Sequence, residues 1–272
     1  MKLFQKIVLF GIILFLPGCG AAQNKLLSPL STAYDIKEKV VDIHVDNLNN
    51  IYILTADNRV VKYTDSYKMQ FEYSNNLIGE IKSIDATNPQ KILCFVKDFN
   101  RIVVLDNTLA EINIIDLSIS DYLDVSVVAR TNDNQIWLFD PINQVLVKVN
   151  DLVEVQYETN RLSDLNLGTI NPVSLKERGN IVILSDPEIG LLVFDNFGQY
   201  LRLIPEKGIS SFQIFGEYVF FIQDGKYFQY HIKRYEKSEL VEMLQGFERF
   251  TIAKDKTYYI DDKGVVIKPT ID

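Results

Sequence analysis

The sequence predicts an all-β, six-bladed β-propeller whose last blade is closed by an N-terminal strand. Three observations predict it. Six apolar strand cores begin at Ile51, Ile92, Ile136, Ile181, Val219 and Thr257, 38 to 45 residues apart. Each core follows a turn and precedes a second apolar run. A repeat of this length made only of strands marks one four-stranded blade per unit. Finally, the sixth unit ends before its outer strand, while a spare strand precedes the first unit.

The units read in order as strands a to d. The first has Val40–Asp46, a polar turn at 47–50, Ile51–Ala56, Arg59–Tyr63 and Lys68–Tyr73. The second has Lys82–Ala86, Ile92–Val96, Arg101–Leu105 and Glu111–Asp116. The third has Val125–Arg130, Ile136–Phe139, Val145–Val149 and Val153–Glu158. The fourth has Val173–Lys176, Ile181–Leu184, Leu191–Phe194 and Tyr200–Ile204. Continuous apolar runs fit strands covered on both faces by neighbouring blades. The fifth has Phe212–Phe215, Val219–Ile222 and Tyr227–Ile232, then Ser238–Leu244, which fits a helical turn nearly as well as the strand that its context favours. The sixth has Arg249–Ala253, Thr257–Ile260 and Val265–Lys268. An open edge there invites unwanted pairing. The segment Leu30–Ile36 is expected to cover it.

Residues 1–18 have the layout of a secretory signal. Lys2 and Lys6 precede an apolar run, Ile7 to Leu16, that closes on Pro17-Gly18. The run is shorter than the ~20 residues a membrane helix needs. Leu16-Pro17-Gly18-Cys19 resembles the lipobox of bacterial lipoproteins. That resemblance implies cleavage before Cys19 and its lipidation, palmitate included. The expected organisation is a signal peptide at 1–18, a lipid-anchored linker at 19–26 and the propeller at 27–272. No acidic export signal follows Cys19, so the expected location is the periplasmic side of the outer membrane.

The chain carries 36 acidic and 28 basic residues, a net charge of −8, which becomes −10 without Lys2 and Lys6. Nucleic acid needs a basic footprint and is excluded as a partner on this balance. With Cys19 lipidated, Cys94 has no cysteine to pair with and reads as a small core residue.

The stretch Val45 to Tyr63 resembles an NHL-like propeller repeat. Asp46 opens the a–b turn, Ile51-Tyr52-Ile53 forms the core, and Asn58-Arg59-Val60 opens strand c. Asn100-Arg101-Ile102-Val103 and Gly179-Asn180-Ile181-Val182 echo parts of the pattern. The resemblance implies a six-bladed fold of the kind found in secreted and lipid-anchored bacterial proteins. It carries no function.

Some propellers of this type are metal enzymes, but zinc needs several histidines, and His44 and His231 fall in different units. No calcium loop, nucleophile elbow or phosphate-binding glycine loop is present. No metal and no cofactor is therefore expected. Asp42, His44 and Asp46 alternate along one strand and are candidate channel-lining residues. Tyr218, Tyr230 and Tyr235 form a candidate partner patch in an aromatic fifth unit. The sequence thus favours a non-enzymatic envelope lipoprotein that binds protein partners as a scaffold. The alternative is a divalent-metal hydrolase or lactonase with its site at the channel, which would show as acids from several blades converging at one mouth.

Overall fold

The computed structural model describes residues 34–120, 122–241, 243, 246–253 and 255–269. Cys19, the signal segment and residues 30–33 of the expected closing strand lie outside them. The described chain is an all-β, six-bladed propeller of antiparallel sheets.

Blade 1 holds β1 (Val40–Val45), β2 (Ile51–Thr55), β3 (Arg59–Tyr63) and β4 (Met69–Ser74). Blade 2 holds β5 (Ser83–Asp85), β6 (Ile92–Val96), β7 (Arg101–Leu105) and β8 (Glu111–Asp116). Blade 3 holds β9 (Val127–Arg130), β10 (Ile136–Asp140), β11 (Val145–Val149) and β12 (Val155–Glu158). Blade 4 holds β13 (Ser174–Arg178), β14 (Ile181–Asp186), β15 (Gly190–Asp195) and β16 (Tyr200–Ile204). Blade 5 holds β17 (Phe212–Phe215), β18 (Tyr218–Gln223), β19 (Lys226–His231) and β20 (Glu236–Glu239). Blade 6 holds β21 (Arg249–Ile252), β22 (Lys256–Asp261) and β23 (Gly264–Pro269).

The second strand of each of the first three blades is buried along its whole length, because a neighbouring blade covers each face. Alternate side chains therefore enter two different cores. Leu93 and Phe95 of β6 pack towards blade 3, whereas Ile92, Cys94 and Val96 pack towards blade 1. The Cys94 thiol is wholly buried, and burial pushes its pKa far above the ordinary value. The c–d turns repeat one device. Thr64, Asp106, Asn150 and Asp195 each accept backbone N–H groups two and four residues on. In each, the residue three positions on adopts positive φ: Tyr67, Leu109, Val153 and Gly198. Such local capping sets the turn without tertiary help.

Two sequence expectations shift. The outer strand of blade 5 lies at Glu236–Glu239, not Ser238–Leu244. The short turn after His231 returns the chain directly onto β19, so pairing starts at His231 with Glu236. At the closure, the described residues show one antiparallel bridge, Ile36 to Val265, beside β23. Asp35 and Ile36 donate to the Val265 carbonyl, and Val265 donates back to Ile36. The Asp35 carboxylate accepts from the Ile267 N–H at 2.7 Å. Gly264 (φ 146°) makes this approach feasible: a Cβ there would stand 2.1 Å from the Ile36 carbonyl oxygen.

Candidate functional site

Strands β1, β5, β9, β13 and β21, with the residues leading into β5 and β17, converge on the central channel. A cavity of about 280 Å³ lies there, lined from all six blades. Its polar lining includes Asp42 and His44 of blade 1, Lys82 and Asp85 of blade 2, and Lys176 and Glu177 of blade 4. Ser210 and Ser211 of blade 5 and Arg249 of blade 6 complete it. A smaller cavity of about 60 Å³ adjoins His44 and Lys176 and runs on past Gln213 and Thr251. His44 and Lys176 thus line both stretches.

The acids of this channel are structurally engaged. Asp42 accepts from Ile43 N–H at 2.9 Å and from Ile84 N–H of the next blade at 3.0 Å. Asp85 repeats the device, accepting from Thr87 N–H at 2.8 Å and from Arg130 N–H of blade 3 at 2.9 Å. Glu177 accepts from Asn132 N–H at 2.9 Å and from the Trp137 indole N–H at 2.6 Å. Burial raises its pKa despite those bonds. The Arg249 guanidinium donates to the carbonyls of Val40 and Val41. Each of these side chains joins two blades. Carboxylates from blades 1, 2 and 4 do share the channel. Even so, among the described residues no three His, Cys, Asp or Glu side chains stand close enough to hold a metal ion.

The basic and hydroxyl groups are differently placed. His44, Lys82, Ser210 and Ser211 make no side-chain hydrogen bond to a described residue. Lys176 makes none either, and its ammonium lies 5.9 Å from the centre of the Phe212 ring. Burial lowers the His44 pKa; Lys176 acts in the same direction, while Asp85, Asp42 and Asp46 oppose. The imidazole is therefore neutral at pH 7, with a lone pair available to take a proton.

Asp46 stands apart from Asp42 and His44. It closes the a–b turn, accepting from Leu48 and Asn50 N–H, both at 2.8 Å, and from the Tyr52 hydroxyl at 3.2 Å. The three tyrosines are likewise separated. Tyr218 faces the junction of blades 5 and 6, beside the His231 ring at 4.7 Å. Tyr230 is buried in the core between blades 4 and 5. Tyr235 is an exposed turn residue under the Arg202 guanidinium, 4.3 Å from its ring centre. His231 caps that turn, its Nδ1 accepting from the N–H groups of Lys233 and Arg234.

Sequence reasoning missed Lys82, Lys176, Glu177 and Arg249. In a propeller each blade contributes one or two residues to the channel, so no short motif marks the site. The only signal was a charged residue inside or beside an otherwise apolar a-strand.

No protein-family model and no curated protein sequence matches the chain. Its fold is similar to that of several solved structures. One is a catalytically inactive histidine-to-alanine variant of virginiamycin B lyase from Staphylococcus aureus with quinupristin. It has a TM-score of 0.62 and 12% identity, over 86% of this chain and 81% of that one. A streptogramin B lyase has a TM-score of 0.60 and 14% identity, over 86% of this chain and 80% of that one. The computationally designed Ika8 protein has a TM-score of 0.53 and 11% identity, over 85% and 71%. At these identities the likeness is one of fold. It nevertheless corrects the expectation of a non-enzymatic protein: two of these structures are lyases on the same architecture.

Proposed function

We propose that the central channel is the active site of a lipid-anchored envelope enzyme, with His44 as the proton acceptor. One observation carries this reading. His44 is neutral and free of hydrogen-bond partners among the described residues, in a cavity whose carboxylates already hold N–H donors. A positioned base of this kind contributes roughly 10²–10⁴-fold to a proton-transfer step. The fold shared with lyases points to elimination. His44 would take a proton from carbon, the C–H electron pair would form a double bond, and the C–O bond electrons would leave with oxygen. The hydrolytic alternative has His44 drawing a proton from water instead.

Mass spectrometry of quinupristin and of cyclic esters with and without a carboxylate, incubated with the mature protein, separates the two. A ring-opened product of unchanged mass marks elimination; one heavier by a water marks hydrolysis. His44→Gln is expected to lower either rate at least ~100-fold. Turnover unchanged in His44→Gln, or no turnover of any such compound, defeats the reading.

Anchoring at Cys19 is supported by Leu16-Pro17-Gly18-Cys19. Several acyl chains hold a protein on a membrane where one does so only marginally. Cys19→Ser should move the protein into the soluble fraction, and equal retention on membranes would count against the anchor. An envelope protein partner is favoured by exposed apolar side chains on two outer strands, Met69 and Phe71 of β4 and Ile112 and Ile114 of β8. Edge strands of this kind accept an added strand. Ile112→Lys with Ile114→Lys should abolish a membrane crosslink without lowering the melting temperature.

A further inference from the structure

We infer that the molecule bound in the central channel carries an oxyanion, a carboxylate or phosphate, held by Lys176 and Lys82. The inference rests on the channel being the ligand site and adds the class of ligand. It follows from which lining groups are already bonded. Asp42, Asp85 and Glu177 each spend both carboxylate oxygens on N–H donors. Arg249 is spent on two carbonyls. The polar lining residues that remain without a side-chain hydrogen bond to a described residue include Lys82, Lys176, His44, Ser210 and Ser211.

Lys176 is the sharpest case. It is half-buried, and an ammonium withdrawn from water needs an acceptor. Most other buried or half-buried lysines of the ring have one, Lys268 being the other exception among the described residues. Lys62 donates to the Asn107 carbonyl at 2.8 Å, Lys91 to Asp151 at 2.7 Å and Lys148 to Asp133 at 3.1 Å. Lys176 makes no hydrogen bond or ion pair to a described residue; its ammonium has the Phe212 ring 5.9 Å away, and the residue lines the channel with His44. Lys82 stands exposed in the same lining, and also borders a second cavity with Glu80, Lys97 and Asp98; it is the second cation of the channel proposed to meet the ligand. The protein's overall charge is strongly negative, whereas in the channel lining Lys82, Lys176 and Arg249 balance Asp42, Asp85 and Glu177. A cavity of about 280 Å³ suits a small metabolite and not a polymer segment.

The test is isothermal titration of the full mature protein with inorganic phosphate, acetate and acetamide, each against sodium chloride of matched ionic strength. Saturable binding of phosphate or acetate, with none of acetamide, is expected, and the stronger of the two identifies the head group. Lys176→Met should weaken it at least tenfold and Lys176→Arg should recover part of the loss. Lys82→Met should weaken it less. Binding no stronger than chloride, or unchanged in Lys176→Met of wild-type melting temperature, overturns the inference. If Lys176→Met unfolds, Lys176→Gln and Lys82→Met decide on the same criterion. His44-dependent turnover of a neutral ester without anion binding would sink this inference and leave the enzyme reading standing. Lys176-dependent anion binding without any turnover would do the reverse.

Discussion

The junctions between blades 1 and 4 and the junction that closes the ring solve the same problem by different chemistry. In the first three blades an amide at positive φ, just before strand c, reaches into the next blade's linker. Asn58 donates to the Gly79 carbonyl at 2.9 Å and accepts from Ile81 N–H at 2.8 Å. Asn100 does the same with Tyr122 and Val125, and Gln144 with Ile170. In blades 4 to 6 the corresponding turns carry glycine at positive φ, Gly190, Gly225 and Gly264. The closing junction relies on the Arg249 guanidinium and the short bridge at Ile36. Early junctions are thus bonded from within the buried ring. The described closure shares an apolar core like the others, but its polar links are partly exposed: Arg249, Lys256 donating to the Asp65 carbonyl at 3.0 Å, and a strand end. The difference predicts a ring that opens at one seam.

The largest expected effect is at the junction of blades 2 and 3. Arg130 is wholly buried, and its guanidinium donates to Asp151 at 3.0 Å and to the Asn134 carbonyl at 2.8 Å. Lys91 of blade 2 donates to the same carboxylate. Asp151→Ala would leave a buried cation without its counter-ion, at a cost of about 3 kcal/mol. For a domain of this size that lowers the melting temperature by roughly 8 °C. A loss under about 1 kcal/mol in urea unfolding would show that these early junctions are no stronger than the closure.

Next is Asn100→Ala, expected to cost about 2 kcal/mol by removing two bonds in a buried setting. Alanine is also strained at the Asn100 φ of 51°. Asn100→Gly removes that strain and should recover part of the loss, which separates the amide's contribution from the backbone's.

How much of this was legible follows from where the information lies. The Asn58-Arg59-Val60 and Asn100-Arg101-Ile102 patterns were visible and marked strand c correctly, because the asparagine sets a local turn. Their second role was hidden, since the targets are backbone groups 21 and 22 residues away that have no side-chain signature. The register of β20 was misplaced for a similar reason. Glu236 to Glu239 has no apolar pattern, and only its pairing with β19 makes it a strand. Asp42 and His44 were candidates for the channel because they alternate on one strand. Lys176 was not, because its neighbours in space come from other blades.

Arg249→Met tests the closure itself. It removes two charge-assisted bonds from a partly exposed site, so the expected cost is about 1 kcal/mol. Its signature should be local. Hydrogen exchange should quicken at β1, β21 and β23 while β6 and β10 stay protected, as expected of a ring that opens at one seam. Uniform loss of protection would mean that the six junctions share the load and the comparison fails.

The smallest effect sharpens the contrast through pH. Burial raises the Asp151 pKa, but hydrogen bonds from Lys91 and Arg130 outweigh it and hold the carboxyl below its ordinary value. A carboxylate depressed in the folded state stabilises above its unfolded pKa of about 3.9 and loses that contribution as pH falls through the folded value. The stability difference between wild type and Asp151→Asn should therefore be full at pH ~7 and shrink below about pH 4. Urea midpoints at a series of acidic pH values measure it, and charges elsewhere cancel in the difference. The Arg249→Met difference should stay flat over the same range, because its acceptors are carbonyls that do not titrate. Parallel pH dependence in the two variants would show that the early junction does not draw on ionic charge, and the distinction between the two kinds of junction would reduce to hydrogen bonds alone.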